Sequence, residues 1–306
     1  MNRLLTLSCA FLVASLLLAP LPGQGKQQTE ERRVIEKSLP ASGVSRLRVQ
    51  VRSGNVRVVS GANADAVQVR AVRVVRARSK NTAKGLADAC TVLVKRSGDA
   101  VTVDDVAPRD IASPNGDDPQ IQLDIEVKLP ANRIVELTSD TGNLEVTGAT
   151  RTTVTRTQTG NVRLMKMSSG SVEVESQTGS LDFAGQVERL QMTTQTGSVR
   201  VLAPSRVRES LALQTQTGNV SAEIASIPGR GVTAETQTGS VRVSLPSNAR
   251  VNAVLSSANG DASSAFALTR ARRNPGEGSE LMGNINGGGP SVRLRTETGS
   301  VELGTR

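Results

Sequence analysis

The octapeptide TQTGSVRV occupies residues 194–201 and returns unchanged at 236–243. Working outward, the same phrase appears as SDTGNLEV (139–146), TQTGNVRL (157–164), SQTGSLDF (176–183), TQTGNVSA (215–222) and TETGSVEL (296–303). SSANGDAS (256–263) is a decayed copy, and RSGNVRV (52–58) is an early outlier. The marker glycines Gly142, Gly160, Gly179, Gly197, Gly218, Gly239 and Gly260 are separated by 18, 19, 18, 21, 21 and 21 residues. Gly299 follows 39 residues later, the length of two coils or of one coil with an insertion. A repeat near 20 residues with two short β-runs per period is one turn of a solenoid.

Side chains alternate sides along a strand, so parity says what faces inward. Leu211 and Leu213 share a parity with Thr215 and Thr217, whereas Gln214 and Gln216 point the other way. The same rule covers Leu190, Met192, Thr194 and Thr196, and again Val292, Leu294, Thr296 and Thr298. Both threonines of each triplet are therefore expected on the core side, a placement that speaks against an ice-binding threonine plane. Glycine can corner the chain through a positive φ that a Cβ resists, and the Asn or Ser after it can hydrogen-bond backbone. A lone coil cannot stand. Four or five buried side chains contribute ~1.5–3 kcal/mol each, against ~1–2 kcal/mol per residue for ordering about twenty backbones. Stacking and end caps are required. The fold class expected is all-β, a single-stranded β-solenoid preceded by a small β-rich capping domain with one short helix.

Residues 1–25 read as a secretory signal peptide. One basic residue, Arg3, precedes an apolar run from Leu4 to Ala19, and small residues end in Gly25. The run falls short of the ~20 residues a spanning helix needs, so the mature chain is expected outside the cytoplasm: periplasm, cell surface or secreted. Residues 26–130 alternate apolar and polar in RLRVQV, AVQVRAVRVV, TVLVKR and IQLDIEVKLP. This is the expected capping domain, with a helix at 81–90 whose inner face is Ala83, Leu86, Ala87 and Cys90. Residues 131–306 form the solenoid, with a loop insertion near 269–289 carrying NPGEG and GGG. Cys90 is the only cysteine after residue 25, so no intrachain disulfide is available to the mature chain. It reads as a buried thiol, or, if exposed, as a reactive or intermolecular one.

RSGNVRVV, the central Ala-containing helix, VKLPANRIVELTSDTGNLEV and the serial TGS/TGN turns together resemble the bacterial "putative adhesin", or toastrack-type, family of exported proteins. The resemblance covers roughly residues 40 to 306. It implies a cell-envelope β-solenoid, right-handed in its coiling, and it supplies no catalytic motif.

Chemistry is sparse. The chain has no His, Trp or Tyr, so it lacks a near-neutral base and aromatic platforms for stacking sugars or bases. Polysaccharide-acting β-helix enzymes use outward carboxylates and cations. Here the outward series Glu145, Arg163, Asp182, Arg200, Arg242 and Glu302 alternates in sign without clustering. Asp104-Asp105 and Asn115 to Asp118 lack calcium-loop spacing. No catalytic residue, metal or cofactor is assigned. The formal charge of +9 favours anionic partners, and Arg70, Arg73, Arg76 and Arg78, with Arg270, Arg272 and Arg273, are the expected contacts. Specific nucleic-acid binding is not expected without aromatic stacking residues. The function expected is a non-enzymatic envelope structural or interaction protein touching anionic polymer or a membrane surface, with self-assembly through solenoid ends as a variant. The alternative is a polysaccharide-acting enzyme.

Overall fold

A computed structural model describes residues 29–61, 65–106, 119–268, 270–273 and 278–306. The leader expected at 1–25 lies outside the described residues. No described helix is long and apolar enough to cross a membrane.

The strands are β1 (Thr29–Pro40), β2 (Arg46–Gly61), β3 (Ala66–Ala77), β4 (Thr91–Ser97), β5 (Ala100–Val106), β6 (Gln120–Pro130), β7 (Arg133–Thr141), β8 (Leu144–Thr159), β9 (Val162–Thr178) and β10 (Leu181–Thr196). They continue as β11 (Val199–Thr217), β12 (Val220–Ile224), β13 (Val232–Thr238), β14 (Val241–Leu245), β15 (Val251–Asn259), β16 (Ala262–Ser264), β17 (Arg270–Arg273), β18 (Ser279–Ile285), β19 (Ser291–Thr298) and β20 (Val301–Thr305). Among the described residues one helix, α1 (Lys80–Ala89), lies between β3 and β4. Its N-cap Ser79 accepts from the Thr82 N–H at 3.0 Å, and Ala83 and Ala87 are buried. The fold is an all-β solenoid.

Successive coils pair in parallel and like meets like. Thr159 opposes Thr141 and Thr178, Thr196 opposes Thr178 and Thr217, and Val199 opposes Leu181 and Val220. The marker glycines form one column. A Cβ on Gly142 would meet the carbonyl oxygen of Gly54, and the same holds for Gly160 on Gly142, Gly179 on Gly160, and Gly197 on Gly179. Gly218 on Gly197, Gly239 on Gly218, Gly299 on Gly239 and Gly260 on Gly299 complete it. Asparagines beside the glycines bond across coils rather than locally. Asn55 Oδ1 accepts from the Asn143 N–H at 3.0 Å, Asn143 Oδ1 from the Asn161 N–H at 3.0 Å, and Asn161 Oδ1 from the Ser180 N–H at 2.8 Å.

Column order departs from chain order at the end. The C-terminal pair β19–β20 sits between the β13–β14 coil and the β15–β16 coil, pairing in parallel with both. After β14 the chain leaves a gap one coil wide, builds β15–β16 beyond it, and returns to fill the gap last. The expected loop at 269–289 is instead largely strand: β17 pairs antiparallel with β18, and β18 pairs antiparallel with β15, so this hairpin closes one end.

At the other end β2 is already a coil, pairing in parallel with β7 and β8 on one side and with β5 and β6 on the other. Residue 130 therefore lies inside a continuous sheet. Antiparallel β3 and β1 finish one face and antiparallel β4 the other. Of the edge strands, β1 and β17, TEERRVIEKSLP and RARR, are dense in charge, a composition that discourages edge pairing along those strands.

The triplet threonines divide. The first is buried (Thr157, Thr194, Thr215, Thr236, Thr296), and from Thr194 onward its hydroxyl donates to the glycine carbonyl of the preceding coil in the stack, as Thr215 to Gly197 and Thr236 to Gly218, both at 3.0 Å. The second, expected inside as well, is exposed at Thr159, Thr178, Thr196, Thr217, Thr238 and Thr298. Strand alternation ends where the chain swings into the glycine corner, so the last side chain clears the core.

Candidate functional site

The glycine corner is uniform; the opposite corner is not. The ladder between β8 and β9 keeps an 18-residue offset from Leu144/Val162 to Thr147/Met165, then slips to 19 at Ala149/Ser168. Lys166, at φ 54°, sits in that slip. Between β10 and β11 the offset grows from 18 at Phe183/Val201 to 20 at Gln186/Arg206 and 21 at Arg189/Ser210. Here, the extra residues of the longer coils are taken up at this second corner, where irregular backbone re-aims side chains.

A concavity of about 460 Å³ opens there. Its floor is Ser168, Ser169 and Gly170, and its walls include Arg151, Gln186, Glu188 and Arg208. Arg151, Gly170 and Glu188 each precede the register row Thr152–Ser171–Arg189, so they belong to consecutive coils. Gly170 is packed close to the neighbouring coil: a Cβ there would lie 3.0 Å from the Arg151 carbonyl oxygen and 4.0 Å from Glu188 Oε2. Ser169 is held by Thr150, which donates to its Oγ at 3.1 Å, and itself donates to the Ser171 carbonyl at 3.2 Å.

Several arginines elsewhere on the solenoid are matched coil to coil, whereas the exposed Arg206, Arg250, Arg293 and Arg295 have no carboxylate within ion-pair distance among the described residues. Arg156 reaches Glu173 and Glu175 at 2.7 and 2.9 Å, Arg200 reaches Asp182 at 2.7 Å, Arg230 reaches Glu209 at 2.9 Å, and Arg242 reaches Glu302 at 2.6 Å. Arg163, the weakest, stands 3.8 Å from Asp182. The outward series of alternating sign is thus a set of cross-coil pairs. Arg151 and Arg208 are both exposed, and among the described residues neither has a carboxylate within ion-pair distance.

The arginines singled out in the sequence are placed otherwise. Arg70 lies 3.3 Å from Glu36 and Arg76 lies 3.0 Å from Glu30, both on exposed β1–β3 pairs. Arg78 follows β3 just before the helix. Arg73 is no surface contact. Its side chain is 3% exposed and bonds Asp105 Oδ1 at 2.8 Å and the Thr91 carbonyl at 3.4 Å. It shares the inward parity of Val67, Val69, Ala71 and Val75, a signal present in the sequence and outweighed there by its charge. Arg270, Arg272 and Arg273 lie on β17, with side chains outside the described set. Removing one partner of a buried pair leaves the other uncompensated, at a cost of about 3–5 kcal/mol. Arg73→Ala is accordingly expected to lower the unfolding free energy measured by urea denaturation by that amount, whereas Arg76→Ala should change it by less than about 1 kcal/mol.

Cys90 caps the helix and is buried. Burial raises its thiol above the ordinary 9.0, with Arg73 opposing and Asp105 reinforcing the shift. A raised thiol holds less thiolate at any given pH. Native protein at pH 8 is expected to react with a disulfide reagent far more slowly than urea-unfolded protein. Equal rates in the two states would mean the thiol is open to solvent.

A second, polar hollow of about 410 Å³ crosses the face before the glycine corner, lined by Gln195, Gln214, Gln216, Gln237, Glu235 and Arg295 among others. Its amides face outward as parity requires, beside the exposed column of second threonines. Among the described residues no group of three or more Cys, His, Asp or Glu converges in a metal-binding arrangement.

The chain belongs to the Toastrack DUF4097 family, whose model matches residues 119–304, more than half its length. Solved structures similar to it include a "putative adhesin" from Bacteroides fragilis, 10% identical, covering 90% of this chain and 97% of that one at a TM-score of 0.49. Two others are a "putative cell adhesion protein" from Clostridium sporogenes (11% identity, 92% and 100% coverage, TM-score 0.23) and a "putative adhesin" from Parabacteroides distasonis (10%, 89% and 97%, 0.25). No curated protein matches the chain.

Proposed function

We propose that this is an exported, non-enzymatic, adhesin-like protein of the cell envelope that holds an anionic envelope polymer or lipid surface against a rigid solenoid. The observation that carries this reading is that two exposed arginines without an ion pair among the described residues, Arg151 and Arg208, line a single concavity. Cross-coil carboxylates neutralise only part of the arginines of the flat faces, and the exposed arginines without such a pair, these two among them, are left to attract a partner. A net charge of +9 adds a long-range bias toward anions.

Binding through such charges weakens as salt shortens the Debye length from ~10 Å at 0.1 M to ~3 Å at 1 M. A screen of acidic glycans and anionic vesicles at low and high salt should therefore give binding that salt removes. No binding at low salt would end this reading.

The same hollow keeps a second reading open, a polysaccharide-acting enzyme, because Glu188 stands between the two arginines. Cleavage would require partners for that single carboxylate. Incubation with acidic polysaccharide is expected to leave chain length unchanged; shortened chains would favour the enzyme.

A further inference from the structure

Resting on the interaction reading above, we infer that the second-corner hollow is a subsite for a carboxylated polysaccharide, one whose sugar units carry both carboxylates and hydroxyls. Three features select this class. Arg151 and Arg208 lie on coils three steps apart, so at ~4.8 Å per step they are roughly 14 Å apart along the solenoid. An extended polyanion running along the axis reaches both. Each guanidinium offers a planar donor fork that fits a carboxylate.

Between them the lining is made of groups that suit sugar hydroxyls. Gln186 supplies an amide and Ser169 a hydroxyl already fixed by Thr150, and Gly170 adds a lining position with no side chain. Glu188 is the discriminating group. Its carboxylate stands close to the glycine floor, where it can accept from a hydroxyl and repels the closely spaced charges of a ligand that has no hydroxyls between them. A polyphosphate or a lipid headgroup plane meets that repulsion, whereas a sugar chain with spaced carboxylates places a hydroxyl there. A flat membrane also cannot enter a concave floor.

The test uses the full chain, titrated calorimetrically with a defined oligogalacturonate long enough to span both arginines, and in parallel with vesicles of anionic phospholipid. The expected result is binding of the oligosaccharide. It should weaken about tenfold or more in Arg151→Ala and in Arg208→Ala, the loss of a charge-assisted hydrogen bond. Arg242→Ala, which removes the same charge from a matched pair elsewhere, should leave it unchanged. Glu188→Gln should admit polyphosphate, which the natural chain refuses. Vesicle binding without oligosaccharide binding would overturn the assignment and leave the broader reading standing. Binding of neither would overturn both, and equal losses in all three arginine variants would reduce the effect to net charge and overturn the subsite.

Discussion

Replacing Gly197 with alanine should lower the melting temperature by on the order of 10 °C, although it adds one methyl group. The added Cβ would lie 2.1 Å from the Gly179 carbonyl oxygen, and the residue sits at φ +140°. Neither can relax cheaply. The carbonyl below belongs to the same stacked column and accepts the Thr194 hydroxyl at 3.3 Å, and the coil above is locked by the same contacts. Strain at such a backbone position costs about 1–3 kcal/mol, and overpacking a further 1–3 kcal/mol. For a chain of this size each kcal/mol moves the transition by about 2–4 °C. Gly85, exposed in the helix with nothing within 4 Å of a Cβ, provides the internal contrast. Gly85→Ala should raise stability by up to about 1 kcal/mol through helix propensity. Thermal unfolding of the two variants side by side decides the matter: similar shifts would mean that the column does not constrain the corner.

The larger effect is expected from the chain's last sixteen residues. In a solenoid stacked in chain order, removing 291–306 would only shorten one end. Here it empties a slot between two coils. Val292, Leu294, Val301 and Leu303 are all fully buried in that slot, and at ~1.5–3 kcal/mol each they contribute roughly 6–12 kcal/mol. That is comparable to the whole stability of an ordinary domain, about 5–15 kcal/mol. The open edges of β13 and β15 would add exposed backbone donors and acceptors. The truncated chain should lose hydrogen-exchange protection throughout 251–285, while coils nearer Gly142 keep theirs, and a synthetic peptide of residues 290–306 should restore it. Protection of 251–285 persisting in the truncated chain would contradict the interleaved order.

Sequence periodicity carried much of this architecture, and its failures have particular causes. The 18–21-residue period, the glycine corners and the aliphatic core positions are local. Each is written in one coil and repeated, so parity reads them correctly at Leu211 and Leu213 or at Val232 and Ala234. The second threonine misled because alternation holds only while the backbone stays extended, and Thr217 is the residue at which it stops. Arg73 misled for the opposite reason, since its parity was inward and a partner, Asp105, existed 32 residues away to make burial tolerable. The hollow at the second corner was invisible, because Arg151, Gly170, Glu188 and Arg208 share no motif and meet only when insertions in four coils are summed in register.

What the amino-acid order determined alone is the coil: its length, its glycine turn, and which aliphatic side chains it buries. Tertiary structure decided where each coil sits in the stack. A T-x-T-G coil offers the same backbone ladder and the same threonine to any neighbour, so the repeat is blind to order. Only the connections at 246–250 and 286–290, which carry the chain past an empty layer and back into it, place the last coil inside the solenoid.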